Sequence, residues 1–169
     1  MRWNEIPKDM ERVQKILHHP EFKKSMDWID DLERDRIFCG HNMVHLLDVA
    51  RIAWIDSLEQ GEDLRKDVVY AAGLLHDVGK YLQYKEGTPH HISSAELAQK
   101  ILAEAGFTED ENKIICQAIL SHRDRTAAGK SRLGRILYRA DKISRACYAC
   151  DAAAECNWSE DKKTPGVIT

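Results

Sequence analysis

Apolar residues recur at three- and four-residue intervals along most of this chain, and no alternating β-branched run of strand length interrupts them. That period lays one apolar stripe along a helix, so the pattern predicts an all-α protein. Residues 8–18 and 21–36 read as two charged amphipathic helices separated by Pro20, and residues 1–36 as a helical extension packed on a main domain spanning 37–158. Asp27, Asp30, Asp31, Glu33 and Asp35 are read as the solvated face of the second helix. A long helix is expected over 41–59, ending at Gly61. In the next, 65–78, Val68, Val69, Ala71, Ala72, Leu74 and Leu75 leave no polar face, the mark of a buried central helix, and Gly79 follows as a residue just past a helix C-terminus. A longer loop is expected over 80–92. Helices over 93–105 and 109–121 each open with a capping box, Ser93-x-x-Glu96 and Thr108-x-x-Glu111. A last helix starts near Ser131 and runs beyond Ala146, and the tail 159–169 is expected to be loosely ordered.

Composition narrows the class without choosing a function. The chain of 169 residues is long enough for one domain with a proper core and short for two. Its 43% hydrophobic and 31% charged residues are those of a globular protein, which argues against wholesale disorder. A net charge of −3 is too mild to name a partner. No apolar run approaches the ~18 residues of a membrane span, and the opening Met1-Arg2-Trp3-Asn4-Glu5 leads into no apolar secretory segment. Five cysteines, an odd number, form no secreted disulfide framework, so the expected compartment is the cytoplasm. The oligomeric state is not readable, and a homodimer is left open.

Histidine changes the picture. Eight are present, most of them beside or inside apolar helical segments. His76-Asp77 follows the buried run 68–75, where an unpaired carboxylate is not tolerated and must be hydrogen-bonded, ion-paired or bound to metal. His41, His45 and Asp48 fall at i, i+4 and i+7 as a polar stripe amid Val44, Leu47, Val49 and Ile52. His122 directly follows Ile119-Leu120-Ser121, and Asp141 lies within the apolar pattern of Leu133, Ile136, Leu137, Ala140 and Ile143. Singly, each has a bland explanation: a local helix cap for His76-Asp77, a surface pair with Arg145 for Asp141. Several imidazoles and carboxylates in the same predicament are better explained by one shared metal site.

These residues resemble a known family. His45-x-x-Asp48-Val49-Ala50, Leu74-Leu75-His76-Asp77-Val78-Gly79-Lys80 and Ala140-Asp141-Lys142 are similar to the H…HD…D signature of HD-domain proteins over roughly residues 38–148. Asp48 stands where many members carry Arg. The resemblance implies the all-α HD fold and a metal held by His45, His76, Asp77 and Asp141. His90, followed by Ser94-Ala95, and His122 in Ser121-His122-Arg123 look like the further ligands of the two-metal subset, Asp77 bridging to the second ion; His91 is the neighbouring alternative to His90. This six-ligand set is similar to that of bacterial HD-type hydrolases that split diadenosine tetraphosphate symmetrically, and to that of HD-GYP phosphodiesterases, whose GYP element is absent. The implied activity is a metal-dependent phosphohydrolase, with a mixed-valent diiron oxygenase and a non-catalytic nucleotide-binding sensor as alternatives.

Imidazole with carboxylate suits divalent transition metals, iron first and Mn, Co, Ni or Zn besides, better than Ca or Mg. Two such ions about 3.5–4 Å apart lower the pKa of a bridging water and stabilise a transferring phosphoryl group, which gives Asp77 its catalytic role. Lys80 is read as catalytic and substrate-binding, with Arg123 and Arg145 as further substrate contacts. They belong to a basic segment, 121–145, that also carries Arg125, Lys130, Arg132, Arg135, Arg139 and Lys142. In a chain of net negative charge this suits a small phosphorylated substrate, a nucleotide above others. Tyr138 alone among aromatic residues interleaves with these charges, too few to serve as stacking platforms, which argues against nucleic acid. Cys147-x-x-Cys150 and Cys156 would need Cys39 or Cys116 to complete a four-thiol metal site, and they are read instead as small buried residues packing a helix.

Overall fold

A computed structural model describes residues 4–168. Residues 1–3 of the expected extension and Thr169 of the expected tail lie outside the described residues. Nine α-helices account for the described fold, with no strand among these residues: α1 (Glu11–His18), α2 (Pro20–Leu32), α3 (Met43–Glu59), α4 (Lys66–Leu75), α5 (Lys80–Glu86), α6 (His90–Ala105), α7 (Glu109–Ser121), α8 (Arg125–Ala128) and α9 (Arg132–Ile143). The all-α fold expected from the sequence is therefore the fold observed.

The apolar run of α4 makes it the central element. Val69, Ala71, Ala72 and Leu75 are fully excluded from solvent, and α3, α7 and α9 pack around it. Burial of an aliphatic side chain such as Val69 or Leu75 is worth about 1.5–3 kcal/mol. At Gly73 a Cβ would stand 2.5 Å from the Cα of Ala50, so α3 and α4 touch backbone to backbone. Met10, Val13, Ile16, Phe22, Met26 and Ile29 of the N-terminal segment enter the same apolar core, with α1 against α4 and α6 and α2 against α5 and α6.

Several boundaries differ from the sequence reading, each for a local reason. The second helix stops at Leu32, four residues early, because Glu33 turns inward to bond His41. His41 precedes the Asn42 cap of α3 and is not on the helix. The helix expected to reach residue 78 ends at Leu75, and His76 to Gly79 form a turn leading into α5, inside the span expected to be loop. Gly79, at φ −88°, is not a left-handed C-cap. Helix α6 starts at His90, so Ser93 and Glu96 form no capping box; Ser93 Oγ instead donates to the Gly79 carbonyl at 3.0 Å. The second box is formed, Thr108 accepting from Glu111 N–H while Glu111 accepts from Thr108 N–H. The last helix ends at Ile143, short of Ala146. Beyond Trp158, Glu160–Lys162 make a 3-10 turn and Thr164 is buried, its hydroxyl 3.5 Å from the Lys142 carbonyl.

Candidate metal centre

Helix ends deliver the polar groups to one place. The Asn42 side chain accepts from the His45 N–H at 3.1 Å, fixing the first turn of α3 and with it His45. His76 and Asp77 leave the C-terminus of α4, His90 opens α6, His122 caps the end of α7, and Asp141 lies near the end of α9. All six side chains are buried. His45, His76, Asp77 and Asp141 bring one donor atom each within 4.8 Å of one another, and Asp77, His90 and His122 do the same. Asp77 belongs to both groups. Its Oδ2 lies 3.3 Å from His76 Nε2 and 3.8 Å from His45 Nε2, while its Oδ1 lies 3.2 Å from His90 Nε2 and 3.7 Å from His122 Nε2. Asp141 Oδ1 closes the first group, 3.5 Å from His45 Nε2 and 3.7 Å from His76 Nε2. His90, and not His91, faces Asp77.

The opposite nitrogen of each ring is held. His76 Nδ1 donates to Gly73 O at 2.7 Å, His122 Nδ1 to Ile119 O at 2.6 Å and His90 Nδ1 to Gln83 Oε1 at 2.6 Å. Ser144 Oγ spends its proton on Asp141 O at 2.9 Å and faces His45 Nδ1 at 3.4 Å. An acceptor on Nδ1 fixes the tautomer that presents the Nε2 lone pair inward, as metal-ligating histidines require.

Two atoms at the centre, His76 Nε2 and Asp77 Oδ1, are buried without a hydrogen-bond partner. Such orphans are costly unless something else satisfies them. Burial lowers His45 and His122 to about 4 and His90 to about 3, keeping these rings neutral with their lone pairs free. His76 is the exception, because Asp77 and Asp141 outweigh its burial and raise it to about 10. Burial opposes ionisation of Asp77, yet its histidine neighbours hold it well below the usual carboxylate range, and His76 with Lys142 does the same for Asp141. Neutral imidazoles facing ionised carboxylates, with one proton standing in for positive charge, form a site able to hold a divalent cation.

This cluster floors a cleft of about 490 Å³, within the usual range for small-molecule sites. Lys80, Arg123 and Arg145 all line it. Lys80 is no solvated loop residue. It is buried in the first turn of α5, 3.3 Å from His90 Nδ1, and burial lowers its pKa. Arg145 does not pair with Asp141. Its Nη1 donates to Gly40 O at 2.6 Å and its Nη2 to His45 Nε2 at 3.0 Å, while Lys142 takes Asp141 Oδ2 at 2.5 Å. The basic segment divides. Arg123, Lys142 and Arg145 face the cleft, whereas Arg132 and Arg135 pair with Glu62 and Arg139 with Asp56.

Sequence reasoning missed several cleft residues. Arg36 and Lys163 add cations, and Phe38 and Trp158 supply aromatic surfaces to the cleft, which Tyr138 of the basic segment does not line. Glu33, read as solvated, has a side chain only 7% exposed and is bonded to His41, whose Nε2 lies 3.8 Å from Asp77 Oδ2. No periodicity links Glu33 to His41, so no sequence signal marked the pair.

An all-helical domain gathering imidazoles and carboxylates from five helix ends defines a class of metal-site protein, and comparison with known proteins gives the family. The HD-domain family model matches residues 43–146, and the chain belongs to that family. It is 44% identical to an uncharacterized protein of Clostridium beijerinckii over 91% of this chain and 96% of that one. It is 33% identical to ribonuclease Y of Enterococcus faecalis over 76% of its length but spans only 22% of that enzyme. Among solved structures, a predicted HD superfamily hydrolase from an uncultured Thermotogales bacterium superposes with a TM-score of 0.61 at 24% identity, covering 89% of this chain and 86% of that one, a likeness of fold. Among the described residues no helix is long and apolar enough to cross a membrane.

Proposed function

We propose that the chain is a metal-dependent phosphohydrolase acting on a nucleotide or related phosphoester. One observation carries the reading: Asp77 offers its two oxygens to two separate imidazole groups at the floor of a cleft walled by cations. His45, His76, Asp77 and Asp141 would hold one divalent transition-metal ion, iron being the first choice, and Asp77, His90 and His122 a second. When bound, the ions supply an activated water and neutralise charge on the phosphoryl oxygens. Lys80, Arg123 and Arg145 bind the remaining phosphate oxygens, the guanidinium fork of Arg145 matching two of them. Phe38 and Trp158 give a base a surface to stack on. His41, its Nδ1 held by Glu33, turns Nε2 toward the cleft, where it can pass a proton to the leaving oxygen. The ribonuclease Y relatives support phosphoester chemistry at this kind of site.

The test is phosphate or nucleotide release from a panel comprising mononucleotides, dinucleoside polyphosphates and short RNA, using anaerobically purified protein of known metal content. Turnover that requires metal and falls with Lys80→Ala supports the proposal. Oxygen uptake by the iron-loaded protein without phosphoester turnover would select the oxygenase alternative, and binding without turnover the sensor.

A further inference from the structure

Four of the five cysteines line the cleft, and the proposed phosphohydrolase chemistry uses none of them. Cys147, Cys150 and Cys156 do not pack a helix. Helix α9 has ended at Ile143, and beyond it Cys147–Ala149 form a single 3-10 turn. Cys150 N–H donates to Cys147 O at 3.3 Å and Ala153 N–H to Cys150 O at 3.2 Å, so the chain winds through successive turns around the thiols. Cys39 arrives from the other side, just before α3. All four are half-buried with free thiols, and all four line the cleft. Cys39, Cys147 and Cys150 also line a second hollow beside Asn42 and Asp48, so these three form the partition between the two spaces. The bond from Arg145 Nη1 to Gly40 O ties the two segments together.

The spacing separates two kinds of thiolate centre. A single zinc ion holds each sulfur about 2.3 Å away and therefore brings the four to roughly 4 Å of one another. Among the described residues only the two imidazole–carboxylate groups bring three or more donor atoms within 4.8 Å. Four thiols line one space with no three of them within 4.8 Å, which suits a ligand set that spans several irons better than one that closes on a single ion. Thiolates around a cluster carry net negative charge, and Arg36, Arg145 and Lys163 line the same cleft, Arg36 Nε donating to Cys39 O at 3.0 Å.

We infer that Cys39, Cys147, Cys150 and Cys156 hold an iron–sulfur cluster at the mouth of the cleft. On transfer of a preformed cluster the four thiols bind as thiolates and release their protons to solvent, with no change in oxidation state. The cluster pins the segment that carries Arg145 and Trp158 to the loop before α3. It is independent of the phosphohydrolase reading.

The test measures iron and acid-labile sulfide in the full chain, purified anaerobically and also after reconstitution with ferric iron, sulfide and a thiol reductant. The expected result is labile sulfide in proportion to the iron that exceeds the imidazole–carboxylate content, with thiolate-to-iron absorption in the visible. Cys39→Ser and Cys150→Ser lose the sulfide. His76→Ala loses metal from the other site and keeps the sulfide, and Cys116→Ser keeps both. Should the cysteine variants fold poorly, thiol counting on the wild type decides: one thiol reacts before acid destroys the cluster and five after. Absence of labile sulfide in both preparations, zinc bound by these thiols without sulfide, or a disulfide among them overturns the assignment.

Discussion

Glu33 grips His41 at two points: Oε2 accepts the His41 backbone N–H at 2.7 Å, and Oε1 lies 2.5 Å from Nδ1. Burial resists ionisation of this carboxylate, but its bond to His41 prevails and lowers it to about 2, with Tyr84 O–H donating to the same Oε1 at 2.5 Å. An ionised Glu33 keeps the proton on Nδ1 and aims Nε2 at the cleft. If that nitrogen serves the leaving group, His41→Ala lowers kcat by about 10²-fold, the usual scale of general acid catalysis, while elemental analysis finds the metal content unchanged. Glu33→Gln keeps the shape and loses the charge, with a smaller fall in kcat and little change in KM. A loss of metal in His41→Ala would make His41 a ligand instead.

Because Asp77 serves both groups and His90 only one, their substitutions have different metal counts. Asp77→Ala is expected to empty both positions, and His90→Ala to leave about one ion of two, read by elemental analysis of protein purified without chelator. Equal counts in the two variants would show that the groups do not bind separate ions.

Arg145 places Nη2 on the lone pair of His45 that an ion would use, so it must turn aside when metal binds. A guanidinium released at that point is free to take phosphate. Arg145→Ala is therefore expected to raise KM about tenfold, some 1.4 kcal/mol, without loss of metal. Titration with metal would find equal or tighter binding in the variant, and weaker binding would contradict the displacement.

The parts of this molecule that the chain spells out locally were the readable ones. The buried run 68–75 marked the central helix, imidazoles and carboxylates stranded in apolar surroundings marked His45, His76, Asp77, His122 and Asp141, and the family resemblance added His90, six residues that the fold brings together. Packing decided what was hidden. Lys80 to Glu86 lack a strong apolar period of their own and are held as α5 against α6 and α2. Ser93 matches a capping pattern yet spends its hydroxyl on the Gly79 carbonyl, fourteen positions earlier in the chain. Phe38 and Trp158 reach the cleft from loops, and Glu33 reaches His41 from the end of α2, where no periodicity says which way a side chain turns.

Acid stability follows from Arg12, which ties α1 to the rest of the fold. It bonds Glu111 Oε2 at 2.6 Å and Asp67 Oδ2 at 2.8 Å and stacks 4.0 Å over the Phe107 ring. The bond to Arg12 lowers Glu111 from an ordinary 4.5 to about 2. A depressed folded-state pKa means the unfolded chain binds more protons in acid, so the stabilisation is complete above the ordinary value and drains away as pH falls toward 2. The thermal midpoint is expected to be flat between about pH 6 and 8 and to drop below about pH 5, with a shallower acid limb in Glu111→Gln. An unchanged limb in that variant would assign the acid sensitivity to Glu33 and the buried aspartates instead.

Gly79 tests whether the turn after α4 is held by space or by backbone conformation. Its φ of −88° suits any residue, but a Cβ there would meet Ser94 N at 2.4 Å and Ser93 Oγ at 2.6 Å. The backbone at Ser94 cannot yield, because Gly79 N–H also donates to Ser94 Oγ at 2.9 Å and the Gly79 carbonyl accepts from Ser93. Gly79→Ala must then push the turn off the start of α6, where His90 stands, and is expected to cost about 1–3 kcal/mol. Moving Asp77 from His90 loosens the second group first, so metal content falls toward one ion before the fold is lost. Gly87 is the control. It has φ 76° with no atom within 4 Å of a built Cβ, so Gly87→Ala carries only the backbone strain of about 1 kcal/mol and leaves metal binding intact. Denaturant unfolding with elemental analysis separates the two, and equal metal content in both variants would refute a steric role for Gly79.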